Sequence, residues 1–442
     1  MTAKTVILGV AAVLALTACS KEEAILSGER EGIRDVLQSE VRRAQAAETP
    51  ENQVVPVDLP PATVNADWAQ RIGTPATRAA HPALSVAPTL AWSVNIGAGD
   101  SRRKRITADP VVAGGRIFTL DAQAQVSAVS TNGEVLWSAD LTPPADSSSQ
   151  ASGGGLAYGD GKLFVSSAFG LLTALDPETG TQIWQQDLDA PTTAAPTVYD
   201  GRVYVVAGDD VAWVLDTATG RVDWQLSATP DIHNVLGGPA PALTEKYAVF
   251  AFGAGELQGA FRQGGLRLWD AQIAGQRLGL ASARVLDITG DPVVVGDRVF
   301  TGSHAGRMVA LRLGSGKRIW TANEGPLNPV WPAGDSIFMV TDRNELVRLS
   351  VQDGTRIWGH ELPLFVARRP KRQAQIVGHF GPVIAGGQLI LASGDGQLRF
   401  FDPASGQMIR SVDLPGGATS SPVVAGGTLY VVSKKGQLLA FR

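Results

Sequence analysis

From about residue 88 onward the chain alternates short apolar runs with turns rich in glycine and aspartate. A proline, two or more apolar residues and a Gly or Asp turn open each unit, as in Pro110–Gly115, Pro292–Asp297 and Pro422–Gly427. The turn feeds an apolar strand such as Val203–Val206 or Leu429–Val432, then a hairpin and a third strand such as Leu171–Leu175. An Asp-x-x-x-Gly turn then leads into a fourth strand that carries a tryptophan. Four short strands per unit with glycine-rich turns predict the blade of a β-propeller. The markers Trp137, Trp184, Trp224, Trp269, Trp320 and Trp358 recur roughly every 45 residues, the length of such a blade. A seventh unit, Asp402–Gly406, carries Ile409-Arg410 where isoleucine-tryptophan stands in its neighbours.

The ends of the pattern predict how the ring closes. The last unit, Pro422–Phe441, stops after its third strand, whereas Leu90–Val94 is a tryptophan strand, marked by Trp92, with no unit before it. Pairing the two ends completes a final blade and hides the open edges. The expectation is an all-β fold, an eight-bladed β-propeller over residues 88–442, sealed by its N-terminal strand. One flat ring at the same place in every blade is expected to dock on the neighbouring blade's turn, and the turn glycines to adopt angles other residues resist. Trp68, Trp213 and Trp331 fall outside this rhythm, and Asp67-Trp68 is expected to anchor the preceding segment.

The first residues predict an address. Lys4 precedes an apolar run, Val6–Leu16, that is short for a membrane span and suits a secretory signal over residues 1–18. Leu16-Thr17-Ala18-Cys19 resembles a bacterial lipobox, in which the cysteine thiol is lipidated and becomes the new N-terminus. Ser20 in place of aspartate implies, by the same resemblance, sorting to the outer membrane, with the body anchored by its acyl chains on the periplasmic side. Residues 19–87 read as the lipidated cysteine, a short amphipathic helix within 21–48, and, over the proline-bearing residues 49–66, linker or extended chain.

Composition narrows the chemistry. A formal net charge of -4 gives no global pull on nucleic acid. Two local basic runs stand out: Arg102, Arg103, Lys104 and Arg105, and Arg368, Arg369, Lys371 and Arg372. Their plain reading is a solvated loop. Cys19 is the single cysteine, so no internal disulfide can form. The five histidines show no metal-ligand spacing. There is no Gly-x-Ser-x-Gly elbow and no phosphate-binding loop. Asp209, Asp210 and Glu256 are acids that could line a channel.

Leu175–Trp184 and Leu215–Trp224 both read Leu-Asp-x-x-Thr-Gly-x-x-x-Trp. This resembles the tryptophan-docking motif of PQQ-type propeller repeats. With the lipobox and eight units, the chain is similar to the BamB family of outer-membrane assembly lipoproteins. The resemblance implies a non-enzymatic scaffold without cofactor. Its implied partners are the POTRA domains of a BamA-like barrel protein and unfolded outer-membrane protein clients. It implies contact through two inter-blade loops, Ile232–Leu236 and Ala283–Thr289, with His233, Val235, Leu236 and Asp287 as contact residues. Leu236 and Thr289 depart from the arginine and acid that the family pattern would place there. Two other readings compete: a PQQ- and calcium-dependent dehydrogenase, for which the adjacent cysteine pair is missing, and an envelope scaffold lipoprotein with other partners.

Overall fold

The computed structural model describes residues 51–231, 236–273, 275, 277, 285–367, 369, 371, 373 and 375–442. Their strands run from β1 (Leu90–Asn95) to β32 (Gln437–Phe441) and form eight four-stranded antiparallel sheets. Seven sheets are consecutive in sequence; the eighth has the order β1-β32-β31-β30, with β30 at Val423–Ala425 and β31 at Thr428–Ser433. Trp92 pairs with Ala440 and Val94 with Leu438, so the predicted closure is the one found. The protein is an eight-bladed propeller.

Burial follows position in the blade. The short first strands and the second and third strands are mostly buried, as in Val111–Ala113 and Leu429–Val432. The outer strands alternate exposed and half-buried residues, as in Gln182–Asp187. Each outer strand has a bulge beside its marker residue; Val214 faces Trp224 but Leu215 faces Val222. An extra residue at that place bends the strand and re-aims the following side chain. The indoles then reach the next blade. Trp137 donates to Pro177 O at 3.1 Å, Trp184 to Thr217 O at 3.0 Å and Trp358 to Pro403 O at 3.2 Å. Arg410 occupies the marker place before the seam, where the next blade offers chain ends rather than a continuous turn, and its guanidinium lies 3.6 Å over the Phe400 ring.

Residues 51–87, part of the segment expected as linker or extended chain, lie bound along the body. One face of the ring carries the turns between first and second strands, and this segment crosses it as a strap. Trp68 exchanges backbone hydrogen bonds with Val112 at 2.7 and 2.9 Å. Tyr158 N–H donates to Ala69 O, and the Gln70 amide pairs with the backbone of Val198. Leu243 N–H donates to Pro75 O and Val294 N–H to Ala76 O, each at 2.8 Å. Gly386 N–H meets Pro82 O and Gly426 N–H meets Asn65 O. The blade containing Trp331 is met by Arg78, whose guanidinium lies 4.4 Å over that indole. All eight blades are touched. The physical reason is accounting: first strands converge at the axis with backbone groups no neighbouring strand satisfies, and the strap supplies partners. The proline-rich composition that suggested a free linker also suits extended chain lying on such groups. Trp68, 1% exposed, packs 6.2 Å from Trp331, so two of the tryptophans outside the rhythm meet under the axis.

Candidate functional site

With one face strapped, the opposite face is where the ring offers open surface. It carries the loops that link consecutive blades and the hairpins between second and third strands. At its centre lies a well of about 230 Å³, lined by Asp109, Asp210, Asp287, Leu236, Leu327 and, at the floor, Arg71. Arg71 rises from the strap and meets Asp291 at 3.0 Å. Asp291 also accepts the Ala240 N–H at 2.7 Å, so one carboxylate ties the strap to the loop that leads into the fourth consecutive sheet. Asp109 accepts the Ser421 N–H at 2.6 Å. Burial pushes the Asp109 carboxyl up, against the pull of Arg71. Burial also lowers Arg78 to about 10. Asp210 is likewise held up by burial while it accepts the N–H groups of Gly253 and Asp231.

Asp109 and Asp291 each precede the proline that opens a first strand; the matching residues elsewhere are Ala195, Ala240, Gly381 and Ser421. That contrast was legible as acids standing where other units have small residues. Arg71 was not, because nothing in its surroundings marks it as an axial residue.

Of the contact residues expected from sequence, Leu236 and Asp287 both line the well and differ in exposure. Leu236 is 55% exposed at the rim of the well. Asp287 is 6% exposed and forms part of the wall, so a partner reaches it only by entering the well. His233, Val235 and Cys19 lie outside the described residues. The loop after Gln272 is clamped at Arg277, which makes a two-point contact with Asp342 at 2.8 and 2.9 Å. Glu324 lies 4.0 Å from Arg277 and 3.0 Å from Arg356, which also meets Glu345 at 3.0 Å. Burial pushes the Glu324 carboxyl up despite Arg356. Nothing in the sequence marks this network, which ties Arg277 to Asp342 and Glu324.

The well suits a protruding side chain better than a large cofactor. Small-molecule sites commonly occupy roughly 300–1,000 Å³ with mostly apolar walls, whereas this one has a charged floor formed by the strap. Among the described residues, no three His, Cys, Asp or Glu side chains are grouped as a metal ion would need.

Fold and site together define a PQQ-type repeat propeller with an open loop face and a plugged axis. The sequence profile of one family, described as outer membrane protein assembly factor BamB, matches residues 122–360 and 367–442, and the chain belongs to that family. Among curated relatives, the assembly factor BamB of Shewanella oneidensis is 25% identical over 342 residues, covering 75% of this chain and 82% of that protein. BamB of Escherichia coli is 25% identical over 340 residues, covering 75% and 83%. Among solved structures, BamB from Moraxella catarrhalis superimposes with a TM-score of 0.66 at 17% identity, over 80% of this chain and all of that one. A quinohemoprotein alcohol dehydrogenase from Comamonas testosteroni gives 0.63 at 14% identity, over 86% and 81%, a likeness of fold. The protein is a scaffold of the assembly-factor class.

Proposed function

We propose that this chain serves the outer-membrane β-barrel assembly machinery by binding the POTRA domains of a BamA-like barrel protein through its loop face, and that it aids folding and insertion of client barrels there. Leu236, with His233 and Val235 on the same loop, supplies the apolar contact, and Asp287 receives a polar group that enters the well. The observation that carries the reading is the asymmetry of the ring. The chain's own strap covers one face, and an exposed leucine beside a charged well marks the centre of the other. An exposed apolar residue ringed by polar ones suits protein contact. Residues 1–18 are read as a signal peptide and Cys19 as the lipidated residue, which holds the protein on the periplasmic side of the outer membrane.

Co-purification from gently solubilised membranes tests this. The full-length protein is expected to retain a POTRA-bearing barrel protein, and the Val235→Asp/Leu236→Asp variant to lose it. A folded, abundant wild-type protein that recovers no such partner contradicts the proposal.

A further inference from the structure

We infer that the loop face carries, away from the rim at Leu236, a second contact that seats it on an anionic phospholipid surface.

The surface begins with a finger that follows the outer strand β25 (Arg356–Glu361). Its two sides are joined by the Phe365–Ile376 bridge and by the hydrogen bonds Val366 N–H to Gln375 O and Val377 N–H to Leu364 O, each 3.0 Å. Alternate residues of such a pair point to opposite sides. Leu364 and Val366 on one side are 41% and 49% exposed, and Ile376 on the other is 61% exposed. Aliphatic side chains exposed on both sides of one paired segment fit insertion among lipid headgroups better than apposition to a flat protein face. Beyond them Arg369 and Lys371 are exposed.

The cations continue along one sector of the ring. Gly394 N–H donates to Gly378 O at the base of the finger, Lys434 Nζ donates to Gly394 O at 2.7 Å, and Asp100 N–H donates to Lys434 O at 2.7 Å. That path leads from the finger to Lys434, Lys435 and the run Arg102–Arg105. Arg102, Arg103, Arg105 and Lys435 are exposed. The carboxylates beside Lys434 are already engaged, Asp100 by Arg105 at 3.3 Å and Asp395 by Arg399 at 2.5 Å. Asp140, Asp146, Asp187, Asp189 and Asp209 are exposed on the other side of the loop face, and Glu361 and Asp413 are exposed at outer-strand ends within the basic sector, where the cations outnumber them. A chain of net charge -4 has therefore gathered an excess of cations into one sector beside exposed aliphatics, with Arg105 paired to Asp100 among them. Cations at phosphate level with apolar side chains just beneath is the chemistry of interfacial membrane binding.

The strap supports the same sector. Gln53 N–H donates to Ile357 O at 3.0 Å, and the Asn52 amide is paired with the backbone of Gly359 at 2.9 and 3.0 Å. Followed backward, residues 53 and 52 climb β25 toward the finger. Residues 51–53 thus lie beside the sector where the cations begin, and a lipid anchor is reinforced by a polybasic contact.

The test uses the mature full-length chain carrying Cys19→Ser, so that no acyl chain contributes, in flotation with vesicles of phosphatidylethanolamine alone or with phosphatidylglycerol added. Binding is expected only with phosphatidylglycerol and is expected to fall steeply as salt rises. Arg102→Gln/Arg103→Gln/Lys371→Gln is expected to bind at least tenfold more weakly, and Val366→Ser/Ile376→Ser severalfold more weakly, with unchanged circular dichroism. Equal binding to both vesicle types, no binding by the Cys19→Ser chain, or unchanged binding by the triple variant overturns the inference. Loss of an acidic protein partner by the triple variant, without any vesicle binding, overturns it in favour of a protein contact. Any of these results leaves the POTRA-binding reading standing, because that reading rests on Leu236 and the well.

Discussion

At the scale of single residues, the ring is held by a repeated pair: an indole from one blade and a turn glycine from the next. Gly220 has φ +73°, and a Cβ there would lie 2.7 Å from the Trp184 ring. Gly201 has φ +75° with nothing within 4 Å of the same added atom. The two therefore separate backbone strain from docking. Left-handed backbone costs an L-residue about 1–2 kcal/mol, which is the whole expected effect of Gly201→Ala. Gly220→Ala is expected to cost that plus about 1–3 kcal/mol of overpacking against Trp184. Urea unfolding of the two variants checks this; equal midpoints would mean that the indole does not need the bare glycine. Aspartates at these turns add to the geometry. Asp216 accepts the Thr219 hydroxyl at 2.7 Å and its backbone N–H at 2.8 Å, which holds its carboxyl below the usual range.

At the scale of elements, the strap is the feature that distinguishes this propeller from a bare ring. Its start is fastened by Arg348, a fully buried arginine on β24 (Glu345–Ser350). Arg348 donates to Ser336 Oγ at 2.9 Å, to Pro56 O at 3.1 Å and to Val55 O. Burial lowers its pKa. Replacing it with an apolar residue leaves the partly buried carbonyls of Val55 and Pro56 without this donor, at up to about 1–3 kcal/mol for each group left unsatisfied. Arg348→Met is expected to lower stability by about 3 kcal/mol and to open residues 51–60 to protease before the blades unfold. Limited proteolysis followed by mass spectrometry measures it. Cleavage first within the blades would show that the strap is not the weaker unit.

At the scale of the whole molecule, the blades, their number and the closing strand were readable because each unit repeats one pattern of apolar strands and glycine turns. Trp92 and the missing fourth strand after Phe441 were enough to place the seam. The strap was not readable: Pro56, Pro60 and Pro61 suit a free linker and a bound extended chain equally, and only the axis, which no local pattern describes, decides between them. The candidate site was legible in part. Leu236 falls where an exposed residue was expected, whereas Asp287 is drawn into the well wall and Arg71 comes to the floor from a segment far away in sequence. Long-range ion pairs such as Arg71–Asp291 and Arg277–Asp342 leave no periodic trace.

The proposed contact with POTRA domains lies on the loop face, at Leu236 and the axial well. Calorimetric titration of purified POTRA domains into the mature chain tests it most directly. Saturable binding is expected for the wild-type protein, at least tenfold weaker binding for Leu236→Asp, and unchanged binding for Val295→Asp, an exposed residue on the strapped face. Wild-type affinity in Leu236→Asp together with loss in Val295→Asp would contradict it.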